Sequence, residues 1–130
     1  MAGAIFLCSR KPETTDGWRR VAEMSGAWGN VVVHNAIRRA INCLLSREYT
    51  IARVMTGFRI GSEWYGLSVA HAAIEAGVSP KNLAVCTSGG VDWINEVRSE
   101  LERHGVSGAP VFSLELNLAE INCFADGVDC

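Results

Sequence analysis

A chain of 130 residues with 48% hydrophobic and 20% charged side chains has the make-up of one globular domain rather than of a disordered segment. Twelve basic and 14 acidic residues leave a formal charge of −2, a balance that favours neither nucleic acid nor a membrane surface as partner. No run approaches the ~18 apolar residues of a spanning helix, and the apolar start precedes its basic residues, the reverse of a secretory signal.

In chain order, Ala4 to Cys8 (AIFLC) reads as a buried strand, and the polar SRKPETTDG after it, with Pro12 and Gly17, reads as a loop. Trp18 to Met24 predicts a helical turn that SGAWGN breaks. From Asn30, the run NVVVHNAIRRAINCLLSRE sets Val33, Ile37, Ala40, Ile41 and Leu44 at helical spacing with Arg38 and Arg39 opposite. This predicts an amphipathic helix with Asn30 as its cap, although the β-branched Val31 to Val33 also suit the end of a strand. Tyr49 to Ile60 is rich in β-branched and aromatic residues and predicts a strand or hairpin. Gly61 breaks it, Ser62 caps the next helix, and Glu63 complements that helix's dipole.

The helix sets Trp64, Leu67, His71 and Ile74 on one stripe and stops at Gly77. Leu83 to Cys86 is a short strand, followed by Thr87-Ser88-Gly89-Gly90 and a helix opened by Asp92. Ile94, Val97, Leu101 and His104 share a face of that helix, and Gly105 closes it. Pro110 to Leu116 alternates as a strand does, and NLAEINCFADGVDC ends in one apolar turn. The expectation is a single α/β domain over residues 1–130. It has a central sheet of about four or five strands, parallel neighbours, and helices packed against it.

The five cysteines, Cys8, Cys43, Cys86, Cys123 and Cys130, are odd in number and form no CxxC pair. They point away from a disulfide framework and a zinc finger, and towards a reducing, cytoplasmic setting with no metal or other cofactor.

Thr87-Ser88-Gly89-Gly90 between a strand and a helix is the most local chemical signal. Glycines let the backbone turn tightly, and amides at a helix start attract an anion. The string SGGVD resembles the phosphate loop of ATP pyrophosphatases, although Trp93 stands where that pattern carries Ser or Thr.

A longer stretch, Ile60 to Leu116, resembles the zinc-dependent nucleoside deaminase superfamily, especially its bacterial toxin-type branches. The resemblance implies that scaffold, with Glu63 in the place of the proton-shuttling glutamate. Gly61 occupies the ligand position and SGGVDW replaces the paired cysteines, so the zinc chemistry is not implied.

Cys86 at a strand end, with His71 or His34, has the residue types of a nucleophile and its base. On the apolar stripe between Leu67 and Ile74, His71 reads rather as a hydrogen-bonded core residue. Glu63 beside Trp64 and Tyr65 has the make-up of a general base with an aromatic wall; the plainer reading is dipole and packing. Arg38, Arg39, Arg47 and Arg53 form the basic cluster, read as a solvated face. Trp18 and Trp28, in breaker-rich sequence, are the candidate contact surface.

No complete catalytic set assembles from these residues. The sequence therefore favours a non-catalytic binding protein on a deaminase-like or related scaffold, engaging a protein partner or a phosphate-bearing ligand at residues 87–90. The alternative is a small enzyme acting on a nucleoside or other ring substrate through Glu63, Cys86 or His71. Self-association as a homo-oligomer is compatible with either.

Overall fold

Every residue of AIFLC is buried, which a strand achieves only when both its faces and both its edges are covered. The computed structural model, which describes residues 3–58 and 65–128, provides that cover. The elements are β1 (Ala4–Cys8), α1 (Pro12–Ser25), β2 (Asn30–His34), α2 (Ile37–Ser46), β3 (Ile51–Gly57), α3 (Tyr65–Glu75), β4 (Leu83–Thr87), α4 (Val91–Arg103), β5 (Val111–Ser113) and α5 (Leu118–Asp126). A short turn of 3₁₀ helix, Pro80–Asn82, leads into β4.

The strands form one sheet in the order β2-β1-β3-β4-β5, and each neighbouring pair is parallel. Successive side chains of a strand point to opposite faces, so β1 feeds two cores. Phe6 and Cys8 pack with Ala40 and Leu44 of α2, Val69 and Ala73 of α3, and Val97 and Leu101 of α4. Ile5 and Leu7 pack with Trp18 and Ala22 of α1 and Ile121 and Phe124 of α5. The single α/β domain of helices on a parallel sheet is therefore as expected, with α1 and α5 on one face and α2 to α4 on the other.

Four boundaries differ from the sequence reading. Pro12 starts α1 instead of breaking the chain: it stands at the first helical position, where its fixed φ fits and its missing N–H costs nothing. Asn30–His34 is a strand, because pairing of Val31, Val32 and Val33 with Ile5, Phe6 and Leu7 outweighs the helical spacing, and α2 begins only after Ala36. The predicted strand from Pro110 to Leu116 shortens to Val111–Ser113, since the Ser113 carbonyl accepts the N–H groups of Leu116 (3.3 Å) and Asn117 (3.0 Å) in a turn. The tail is a helix, α5, whose Ile121 and Phe124 are buried against the sheet.

Trp18 is buried in the core, and the Trp28 indole N–H donates to the Ala125 carbonyl at 2.8 Å, so neither forms an exposed contact surface. His71 lies on the exposed side of α3, with the buried stripe carried by Leu67, Val69, Ala70, Ala72 and Ala73. Gly77 ends that helix at φ +98°, with the Val78 N–H returning to the Ala73 carbonyl at 3.0 Å. Cys8, Cys43 and Cys86 are free thiols, whereas Cys123 is disulfide-bonded. No helix among the described residues is long and apolar enough to cross a membrane.

Candidate functional site

β1 is followed by α1 on one face of the sheet, while β3, its neighbour, is followed by α3 on the other. Two neighbouring strands whose connections part in this way open a crevice outside their carboxyl ends, the usual ligand position in open parallel sheets. The described residues around it come from the connections after β1, β2 and β4 and from the end of β5.

After β1, the Ser9 hydroxyl is buried and accepts the Lys11 N–H at 3.2 Å. The Asn35 side-chain amide, from the β2–α2 connection, donates to the Ser9 carbonyl at 2.6 Å and to the Thr15 hydroxyl at 3.0 Å. The first two connections are thereby tied together. After β4, the Thr87 hydroxyl accepts the Gly89 N–H at 3.3 Å, and the Ser113 hydroxyl donates to the Gly89 carbonyl at 2.6 Å. The loop at residues 87–90 is thus braced from β5. Strand spacing places it two strands, roughly 10 Å, from Ser9.

Gly90 caps α4 in extended backbone, φ −83° and ψ −161°, without a side-chain cap. The N–H groups of Val91 and Asp92 have no protein partner among the described residues, as expected of a first helical turn. Neither Gly89 nor Gly90 has positive φ, so the turn does not need glycine for its dihedrals. Gly89 is needed for room, because the Trp93 side chain folds back onto it.

This end of the sheet carries both signs: Glu13 and Asp92 lie in the first turns of α1 and α4. Lys11 precedes α1, and Arg38 and Arg39 occupy the first turn of α2, where the dipole disfavours cations. None of these three side chains has an ion-pair or hydrogen-bond partner among the described residues. Burial, with a smaller push from the Arg39 charge, holds the His34 imidazole below its ordinary pKa. The other two arginines of the sequence cluster lie elsewhere. Arg47 donates to the Glu75 carbonyl at 3.3 Å, and Arg53 lies 4.6 Å from the centre of the Phe124 ring.

The nucleophile candidates do not converge. Cys86 packs in the core shared by α1 and α5, while α3, which carries His71, lies on the other face. His34 stacks on Phe6 at 5.3 Å, on that same far face. Burial pushes the Cys86 thiol up to about 12, and the Cys8 thiol to about 11 against a hydrogen bond with Thr56 that lowers it. A His71 ring nitrogen lies 3.0 Å from the His104 carbonyl, and His104 itself caps the end of α4. Glu63, with Gly61, Ser62 and Trp64, falls outside the described residues. No cluster of three or more metal-ligating side chains is present among the described residues.

Sequence reasoning found the loop at residues 87–90 from its glycines between strand and helix. It did not place Lys11, Arg38 and Arg39 at that end of the sheet, nor Trp93 against Gly89. The arginines were visible as a charged helix face, but only the strand order brings the start of α2 to the crevice.

No protein-family model and no curated protein matches the chain. Solved structures do. A de novo designed Rossmann 2x3 fold protein aligns with a TM-score of 0.63 and 13% identity, over 94% of this chain and 84% of its own. The Vibrio cholerae chemotaxis protein CheY4 aligns with a TM-score of 0.64 and 9% identity, over 86% and 85%. A response regulator receiver protein from Dyadobacter fermentans aligns with a TM-score of 0.61 and 12% identity, over 92% and 91%. Identities this low establish a likeness of fold. They overturn the deaminase resemblance: the strand–helix alternation after Ile60 that suggested it belongs to a doubly wound sheet of the receiver type.

Proposed function

We propose that the chain is a non-catalytic binding module that takes a phosphate-bearing ligand in the crevice at the carboxyl end of its sheet. The observation that carries this is that Lys11, Arg38 and Arg39, at the starts of α1 and α2 beside that crevice, have no ion-pair partner, and that the first turn of α2 holds no carboxylate. Cations that oppose a helix dipole and lack a carboxylate partner cost stability, and a bound anion offsets that cost. The braced loop at residues 87–90, with open amides at the start of α4, supplies a second set of donors. The buried, protonated thiols and the separation of Cys86 from His71 and His34 support binding over turnover.

An amide chemical-shift titration with inorganic phosphate and with common nucleotides tests the reading. Shifts should fall at residues 9–11, 35–39 and 87–93, and weaken as salt is raised. Arg38→Gln combined with Arg39→Gln should weaken binding about tenfold. An unshifted spectrum at millimolar ligand would overturn it.

A second reading, a protein-binding surface, is favoured by one observation. Val91, Trp93, Leu116 and Leu118 are exposed apolar side chains around the α4 start and the β5–α5 connection. The fold likeness to chemotaxis and response regulator receiver proteins supports it.

A further inference from the structure

An open parallel sheet has two edges, and this one guards them unequally. β5 is three residues long, follows Pro110 and bends into a turn after Ser113, all features that discourage pairing with another chain. β2 has none of them. Its five residues, NVVVH, hold no lysine, carboxylate or proline, and they pair with β1 without a bulge. Val31, Val32 and Val33 are only half-buried, so their side chains offer surface to a partner.

The hydrogen-bonding groups of this outer edge follow from the ladder. Successive residues of a strand turn their N–H and C=O groups to opposite edges. The His34 carbonyl accepts the Ser9 N–H at 3.3 Å, so His34 and Val32 face β1. Val31 and Val33 therefore face outward, and their backbone groups have no partner among the described residues.

A second copy placed antiparallel, about a two-fold axis through Val32, fits that pattern. Val31 of each copy stands opposite Val33 of the other, each pair exchanging both backbone bonds, and Val32 meets Val32 at the closer, non-bonded position. The flanking helices leave room. α1 packs over Ile5, Leu7, Val31 and Val33, and α2 over Phe6, Cys8 and Val32, so each straddles β1 and β2. Two copies of such a helix lie roughly 10 Å apart across the new strand pair, an ordinary packing distance.

Charge favours a second copy over an unrelated strand. Burial and then the Arg39 charge lower the His34 pKa, which sets Arg39 beside His34. Burial and then the Glu48 charge raise that of Cys43, and Glu48 lines a hollow with Asn30. The two charges thus mark opposite ends of one edge. The two-fold axis sets His34 opposite Asn30 of the other copy, and so brings each Arg39 towards the other copy's Glu48.

We propose that the chain forms a symmetric dimer through β2, joining the two sheets into one continuous sheet. This edge is separate from the exposed apolar side chains around the α4 start, and the dimer does not depend on the phosphate reading.

Sedimentation velocity over a range of protein concentrations, with amide hydrogen exchange read at single residues, tests it. A dimer should form in the micromolar range, and the Val31 and Val33 amides should exchange about tenfold more slowly in it than in the diluted monomer. Val32 and His34, already bonded to β1, should change less. Val33→Pro removes an outward N–H that the monomer does not use, at an edge position that accepts proline, and should leave a folded monomer. Arg39→Glu and Glu48→Arg should each weaken the dimer about tenfold, since each sets like charges against one another on both sides of the axis. The two changes together should restore it, a rescue that general damage to the fold would not produce. Should Val33→Pro not fold, the charge reversals decide.

The proposal is overturned if the chain stays monomeric at high micromolar concentration, or if Val31 and Val33 exchange equally in dimer and monomer. It is overturned equally if the dimer survives Val33→Pro, or if the double reversal dimerises no better than either single change.

Discussion

Trp93 sits directly on Gly89: a β-carbon added to Gly89 would fall inside van der Waals contact with Cβ, Cγ and Cδ1 of the tryptophan. Gly90, the next residue, has open space where its β-carbon would go. The two glycines of the loop therefore do different work, though the sequence treats them alike.

Gly89→Ala should destabilise the protein by about 2 kcal/mol, the scale of overpacking a filled site, because the clash reaches the root of the Trp93 side chain. Trp93→Ala should recover most of that loss when combined with it. Gly90→Ala should stay within about 0.5 kcal/mol of the parent. Urea denaturation of the four proteins checks this, and equal losses at the two glycines would show that Trp93 does not rest there in solution.

The thiols set an alkaline limit. Burial raises Cys86 from the ordinary 9.0 to about 12, and Cys8 to about 11. A folded-state pKa above the unfolded one means that the native state holds the proton more tightly. The associated stability is complete below pH 9 and declines as pH rises from about 9 to about 12. Cys86→Ala should flatten that decline while lowering stability at neutral pH by the small cavity it leaves. In native protein, alkylation should reach the half-buried Cys43 before Cys8 or Cys86, which should react only on unfolding. Mass-mapped iodoacetamide labelling with and without urea gives the order.

His71→Asp distinguishes the exposed helix face from the core stripe. With the ring in solvent and one contact to the His104 carbonyl, the change should cost about 1–2 kcal/mol. The lost hydrogen bond and the new negative charge near the end of α4 both contribute. A cooperative thermal transition a few degrees below the parent is expected. Failure to fold would return His71 to the core.

What the sequence makes legible follows from how locally each feature is encoded. AIFLC and LAVC are continuous apolar runs between polar breakers, so β1 and β4 can be read directly, as can the glycine-marked ends of α3 and α4. Asn30–His34 merges with a helical period that continues through Leu44, and only pairing with β1 separates strand from helix. Pro12 has opposite meanings inside a helix and at its first position, and spacing alone does not choose. At the candidate site, the turn chemistry of residues 87–90 is local and was readable. The convergence of Lys11, Arg38 and Arg39 depends on strand order, and the covering of Gly89 depends on one rotamer.

β1 is an interior strand of this sheet and also the earliest in the chain. Its Phe6 is flanked by Val32 on one side and by Val54, 48 positions later, on the other. A strand buried along its whole length must therefore wait for the β3 segment before its second edge closes. Loop-closure entropy grows only slowly with length, so the delay is tolerable in free energy, but it falls on the folding rate. A nascent chain interrupted before residue 51 would expose an apolar ribbon with one unpaired edge, a template for association. For a molecule of this design, the vulnerable moment comes during synthesis, when its best-protected residues have no neighbour yet.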